Sequence, residues 1–237
     1  MRPVLMRRPH LGWGFLNLLA MNHSLSIPRR TRFLEMLAVS LTALSKFLFM
    51  DYLDWRFPFV AVATVGWLVY VLYRGKKDRS LFKYWGFRTD NFKKALYYLF
   101  PFAILTVIAC FLIGYFQNSL NLTWHLLPIL ISYPIWGAIQ QFLIMALVAG
   151  NLQDGWGNQV PKFWIVGLTA LLFSLVHSPN FWLMLGTFLI ALFYGTIYLR
   201  IRNLYALGLF HGWLGALFYY TVVGSDPFQE IFLKMFA

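Results

Sequence analysis

Four polar side chains interrupt three strongly apolar stretches in the second half of the chain: Gln140, Gln141, His177 and His211. An imidazole can take a proton from a water molecule, whereas an amide can only hydrogen-bond that water and orient it. Polar groups are unfavourable at membrane depth unless they find partners or line a wet cavity. We therefore expect the four side chains to share one interior site, where any chemistry would take place.

The composition predicts a membrane protein. Of 237 residues, 60% are hydrophobic and only 12% are charged, and the mean hydropathy of +0.63 is far above that of soluble domains. Crossing the hydrocarbon layer takes about 20 helical residues, so the apolar runs predict an all-α, polytopic bundle of about seven spans. These runs cover residues 33–50, 57–73, 95–116, 124–149, 161–178, 181–199 and 203–223. The first two are short and contain Glu35 and Lys46, which we expect to pair or to reach towards the interfaces.

The distribution of charge predicts the orientation of the spans. The net charge is +12, but the basic residues cluster between apolar runs, as orientation signals do, so we expect membrane lipids as partners and no nucleic acid. Residues 74–94 hold many of these basic side chains and are predicted to be cytoplasmic. With seven spans, the N-terminus is then inside and the C-terminus outside. We expect an integral protein of a bacterial inner membrane.

We divide the chain into four parts. Residues 1–32 form a basic N-terminal extension, with an interfacial helix expected over 11–21. Residues 33–94 comprise two spans and the basic loop, residues 95–223 form a helical core with the polar side chains, and residues 224–237 are a short tail. We find no internal repeat.

The order and spacing of the polar residues resemble those of the CAAX protease and bacteriocin-processing family. These intramembrane peptidases include the type II prenyl endopeptidases, and the resemblance covers roughly residues 85–220. The family pattern is EExxxR on one helix, FxxxH on the next, and HxxxN or HxxxD on a later one. Phe173 and His177 match the second motif in full.

The other two motifs depart from this pattern. His211 begins the third motif, but Gly215 stands where asparagine or aspartate is expected. In the first motif, Gln140 and Gln141 replace the two glutamates and Met145 replaces the arginine. Positions 141 and 145 are one helical turn apart, so a glutamate and an arginine there would pair. Because both partners are replaced, no buried charge is stranded, which indicates a natural, electrically neutral version of the site.

The resemblance implies hydrolysis of a peptide bond by an activated water. In the family, a glutamate and the FxxxH histidine activate the water, while the later histidine and its fourth-on neighbour stabilise the oxyanion. With amides at 140 and 141, only His177 is left as the base and His211 as the oxyanion donor. Two functions stay open: a peptidase of reduced activity, and a non-catalytic binding or immunity protein that captures a membrane-embedded or lipid-modified peptide in the same cavity.

Each of these residues also has a structural interpretation. Gln140 and Gln141 could hydrogen-bond between helices, and His211 could do the same where Gly208 and Gly212 allow close helix approach. His177 could be a hydrogen-bonded histidine at a helix end next to Pro179. Asn180 is expected to cap the following helix. Two imidazoles without a carboxylate make a poor zinc site, so we expect neither a metal nor a cofactor. A transporter is disfavoured because the interior polar residues are too few to form a continuous path.

Overall fold

The computed structural model of the protein describes residues 27–230, and within that range all regular structure is helical. The predicted interfacial helix at 11–21 lies outside the described residues, as does the end of the tail. In chain order the helices are α1 Arg29–Tyr52, α2 Arg56–Lys77, α3 Ser80–Trp85, α4 Phe92–Gln117, α5 Leu126–Trp156, α6 Lys162–Leu175, α7 Phe181–Tyr198 and α8 Leu204–Val223.

The helices confirm an all-α polytopic bundle. Six of those described (α1, α2, α4, α5, α7 and α8) are long and apolar enough to cross a membrane, and the shorter apolar helix α6 lies at the position of the remaining predicted span. The prediction that the first two spans are short was wrong, because α1 and α2 have 24 and 22 residues. Their polar residues lie within the helices and do not end them.

Helices α5 and α8 form the centre of the bundle. In each of them, 61% of the most apolar 18-residue segment is buried inside the protein, whereas none of the corresponding segment of α2 is buried. Helix α2 therefore lies at the periphery, where its apolar side chains would face lipid. Helices α4 and α7 flank the centre, and 17% and 39% of their most apolar 18-residue segments are buried.

A buried ionic network joins several helices at one end of the bundle. The carboxylate of Asp154 accepts a hydrogen bond from Arg202 at 2.7 Å and lies 3.7 Å from Arg32. One turn along α1, Glu35 accepts from Arg74 at 2.9 Å and from Asn151 at 2.6 Å. Glu35 therefore pairs as expected. The network also brings the start of α1 to the end of α2, the end of α5 and the turn before α8, as alternating spans require.

Acidic residues lie at the opposite end. Asp226, which follows α8, accepts hydrogen bonds from Tyr220 at 2.7 Å and Thr123 at 3.1 Å, and it lies 2.6 Å from His125 Nδ1. Burial alone would raise the pKa of Asp226, but these hydrogen bonds outweigh it and bring that pKa down to about 2. Lys46 pairs with Asp51 at 2.6 Å, as expected. Which end faces the cytoplasm stays a prediction.

Candidate functional site

The site begins where α5 and α8 cross backbone to backbone. A Cβ atom on Gly212 would lie 2.3 Å from the Pro134 nitrogen, and one on Gly208 would lie 2.5 Å from Ala138 Cα. No residue other than glycine fits this crossing without separating the helices. The close approach expected at Gly208 and Gly212 is therefore confirmed, and it brings His211 of α8 against the two glutamines of α5.

His211 is held between the two amides. Its Nε2 atom lies 2.9 Å from Gln140 Oε1, and its Nδ1 atom lies 3.2 Å from Gln141 Nε2. Because an amide oxygen only accepts and an amide nitrogen only donates, Nε2 carries the proton and Nδ1 accepts one. This assignment makes His211 a neutral imidazole whose two nitrogens are both occupied. Gln141 is fully buried, and its Oε1 atom has no hydrogen-bond partner among the described residues.

His177 has the opposite tautomer. Helix α6 ends at Leu175, three residues earlier than the predicted span, because the residue before Pro179 disfavours a helical conformation. In the following turn, His177 Nδ1 lies 2.7 Å from the Phe173 carbonyl oxygen. A carbonyl only accepts, so Nδ1 carries the proton and Nε2 keeps its lone pair. The four-residue spacing of Phe173 and His177 is what brings these two atoms together.

Phe173 also joins the two histidines. Its ring centroid lies 5.0 Å from that of His177, in an edge-on arrangement, and 5.6 Å from that of His211. The phenyl ring therefore packs against both imidazoles. Phe173 is buried, so this contact helps to fix the orientation of the two rings from one side.

A cavity of about 410 Å³ lies between α4, α5, α7 and α8. Gln140, His177 and His211 line it, whereas Gln141 reaches it only through its contact with His211. The structure thus brings the four predicted residues together, with three of them facing one cavity. Their catalytic roles stay predictions.

The cavity opens sideways from the bundle. Leu105 of α4 and Leu189 of α7 line it, although they are 66% and 52% exposed on the outer surface. The same two helices meet where the rings of Phe102 and Phe193 stack with their centroids 4.1 Å apart. The gap between α4 and α7 beside this contact therefore leads from the cavity to the surface that lipid would cover.

Several further polar or aromatic residues of the cavity wall were not predicted. Tyr133, Trp136 and Gln140 lie on one face of α5, at helical spacing of three and four residues, and all line the cavity. That spacing was the signal that could have identified the two aromatic residues. Trp182 and Thr187 of α7 are further members of this group. Their proximity depends on how α7 packs, which the sequence does not indicate.

Helix α5 changes its geometry directly after the glutamines. Residues Phe142–Gly150 form a π-helical segment, and such segments often occur at functional sites. Met145, at the position of the family's arginine, is fully buried within this segment. A charge at Met145 would need a partner, and Gln141, one turn before it, is uncharged. Methionine is therefore compatible with the neutral amides beside it.

The described residues offer no cluster of metal ligands. Nowhere in residues 27–230 do three or more His, Cys, Asp or Glu side chains converge as a metal ion would require. The titratable side chains that line this cavity are the imidazoles of His177 and His211, the thiol of Cys110 and the phenols of Tyr133 and Tyr219.

Comparison with protein families agrees with the motif order. The model of the family described as type II CAAX prenyl endopeptidase Rce1-like matches residues 93–217, which are more than half of the chain and include all four site residues. No curated protein and no solved structure matches. The chain thus belongs to the type II CAAX prenyl endopeptidase Rce1-like family, as a CAAX protease-like integral membrane protein.

Proposed function

We propose that this protein captures a lipid-modified peptide segment from the bilayer and holds it in the cavity without cleaving it. The observation that carries the proposal is the arrangement of His211 between Gln140 and Gln141, with both imidazole nitrogens hydrogen-bonded to uncharged amides. This arrangement suits a binding site better than a hydrolytic one, because it leaves His211 without a free donor and supplies no carboxylate base.

Hydrolysis of a peptide bond needs a base for the water and donors for the oxyanion. The amides of Gln140 and Gln141 cannot take a proton, and a general base typically contributes about 10²- to 10⁴-fold to a rate. The Nε2–H group of His211 already donates to Gln140, so it is not available to an oxyanion in this state. Losing such a donor typically lowers a rate by about 10²- to 10³-fold. Only the imidazole of His177 is then left as a base, and the His211 donor is occupied, which together argue against turnover.

The shape and polarity of the cavity favour a lipid-modified ligand. A volume of about 410 Å³ is that of a small-molecule site. The sideways opening between α4 and α7 allows a hydrocarbon chain to enter from the bilayer without crossing water. The polar group of Gln140, His177 and His211 lies within the same cavity, where the free Nε2 lone pair of His177 can accept a hydrogen bond from a peptide N–H.

The proposal is tested by a binding measurement that blocks the cavity. A Cβ atom on Gly215 would have nothing within 4 Å, and this residue lines the cavity. The Gly215→Phe variant should therefore fill the cavity without disturbing the helices. The probe is a fluorescent peptide with a farnesylated cysteine, added to the full chain in lipid nanodiscs, and the same peptide without farnesyl is the control. We expect the wild type alone to bind the farnesylated peptide. Equal binding of both peptides, or by both proteins, would overturn the proposal.

A slow peptidase is the second candidate, and one observation favours it. The hydrogen bond between His177 Nδ1 and Phe173 leaves Nε2 unprotonated, as a general base requires. His177 would take a proton from water, and the resulting hydroxide would add to the scissile carbonyl carbon. The C–N bond of that tetrahedral intermediate would then break, and the imidazolium of His177 would give its proton to the leaving amine. This candidate requires that His177→Ala abolish cleavage of the farnesylated peptide. In the binding proposal, the variant keeps most of its affinity for the farnesyl group and cleavage is absent from both proteins.

We also place the protein in a bacterial inner membrane with its basic end in the cytoplasm. The support is the basic loop of residues 74–94, since positively charged loops stay on the cytoplasmic side. Alkaline phosphatase fused after the last residue should then be active, because the C-terminus is expected outside. An inactive fusion, with an active one after residue 85, would reverse the orientation.

A further inference from the structure

A second cavity, of about 330 Å³, forms a groove between α6 and α7. It lies at the end of the bundle that holds the Asp154 network, away from the histidines. Its walls are mainly apolar and come from both helices: Phe163, Val166, Leu192, Thr196 and Leu199. Lys162 and Arg200 line the same groove. An apolar groove with two cations among its lining residues has the character of a site for an amphipathic anion.

The two cations have no acidic partner. Lys162 and Arg200 are exposed, and neither forms an ion pair within residues 27–230. Asp154, the carboxylate nearest to Lys162 along the chain, already accepts from Arg202 and lies close to Arg32. The positive charge of Lys162 and Arg200 is therefore left for a ligand from outside the chain.

Lys162 is the first residue of α6, and Arg200 follows the last residue of α7 by two positions. Both therefore lie at the end of the bundle that holds the Asp154 network, where lipid headgroups would meet the helix ends. Moreover, Pro161 gives the start of α6 no side-chain cap, whereas Asn180 and Asn203 cap α7 and α8. The uncapped N–H groups beside Lys162 carry the positive end of the helix dipole and add to its attraction for an anion.

We propose that this groove binds an anionic phospholipid, with its phosphate between Lys162 and Arg200 and one acyl chain along Val166 and Leu192. Two observations select this occupant. The unpaired cations favour a headgroup with net negative charge over a zwitterionic one, whose ammonium group they would repel. The apolar walls favour a ligand with a hydrocarbon chain over free phosphate, which would leave them uncovered. This site is independent of the function proposed for the histidine cavity.

The test is native mass spectrometry of the full chain in detergent, titrated with phosphatidylglycerol or phosphatidylcholine. The Lys162→Gln/Arg200→Gln variant should bind one phosphatidylglycerol roughly tenfold or more weakly than the wild type does. The matched control is Lys93→Gln/Lys94→Gln, which removes the same charge from two exposed positions at the start of α4. We expect the control to retain that lipid. An equal loss in both variants, no loss in either, or equal affinity for phosphatidylcholine would overturn the proposal.

A third variant separates the lipid from free phosphate. Thr196 lies on the groove wall and is exposed, so Thr196→Trp should fill the groove and leave both cations in place. We expect it to weaken phosphatidylglycerol binding about as much as the loss of the cations does. Unchanged binding in Thr196→Trp, or displacement of the lipid by millimolar inorganic phosphate, would show that the cations alone hold a phosphate group and would overturn the acyl-chain assignment.

Discussion

Replacing Gly212 by alanine should disrupt the candidate site by forcing apart the two helices that hold it. The new Cβ atom would lie 2.3 Å from the Pro134 nitrogen, and an ordinary contact begins at 3.4 Å. Helices α5 and α8 would therefore have to separate by about 1.1 Å at their crossing. Because the obstructing atoms belong to the backbone, no rotation of a side chain can relieve the clash.

The energetic effect has two parts. Overpacking of this kind typically destabilises a protein by about 1–3 kcal/mol. The same separation would lengthen the contacts of His211 with Gln140 and Gln141, which are already 2.9 and 3.2 Å, and each lost hydrogen bond contributes about 0.5–1.5 kcal/mol. We expect a total loss of about 2–6 kcal/mol in the free energy of unfolding.

The assay compares two alanine variants of the same helix. Gly215 lies three residues further along α8, and a Cβ atom there would have nothing within 4 Å. Gly215→Ala should therefore leave stability unchanged or raise it by up to about 1 kcal/mol, through the higher helix propensity of alanine. Thermal unfolding in detergent, followed by tryptophan fluorescence, measures stability, and the NMR resonance of the His211 Nε2–H group reports the hydrogen bond to Gln140. If both variants unfold at the same temperature and this resonance is unchanged in each, α5 and α8 are not in backbone contact and the reasoning is wrong.

Three other changes test the charged and neutral parts of the fold. Asp226→Ala should reduce stability at neutral pH by about 1–3 kcal/mol, because Tyr220 and Thr123 lose the carboxylate to which they donate. The hydrogen bonds to this carboxylate lower its pKa to about 2, so the wild type should keep the contribution above about pH 4 and lose it as the pH falls through about 2. Equal stability of the two proteins at pH 7 would contradict this. Asp154→Asn should lower the free energy of chemical unfolding by about 3–5 kcal/mol, because it leaves the partly buried guanidinium of Arg202 without its carboxylate. The control, Asp54→Asn, breaks an exposed pair with Arg56 and should change that free energy little. Met145→Arg should prevent folding on its own, and Gln141→Glu, one turn away, should partly rescue it by pairing with the arginine. Size-exclusion chromatography distinguishes the single from the double variant by the amount of folded protein that each yields. Rescue by Gln141→Leu as well would show that charge pairing is not the cause.

The positions of the spans could largely be predicted from the sequence, because the thickness of the bilayer sets the length of each apolar run. The convergence of Gln140 and His211 was predicted on a similar basis, since isolated polar groups are unfavourable in hydrocarbon. Gly208 and Gly212 indicated the close crossing that produces it. These predictions rest on physical constraints that act along a single helix or on any pair of helices in a membrane.

Other features depend on packing that leaves no local pattern. The sequence prediction ended the fourth span at residue 149, but α5 continues to Trp156 and so brings Asn151 and Asp154 into the ionic network. The partners of Asp154 are distant along the chain, at Arg32 and Arg202, and no spacing relates them. The π-helical segment after Gln141 and the gap between α4 and α7 likewise arise from tertiary contacts. For these reasons the four residues were predicted together, but the shape of their cavity was not.

The central claim, that the amide-bound imidazole belongs to a binding site and not to a hydrolytic one, is tested most directly by one measurement. The wild type in nanodiscs is saturated with the farnesylated peptide in water enriched in oxygen-18, and the peptide is then recovered and weighed by mass spectrometry. We predict that the bound peptide is recovered intact. A shorter product that carries one oxygen-18 atom in its new carboxyl group, and that is missing when His177 is replaced by alanine, would contradict the account.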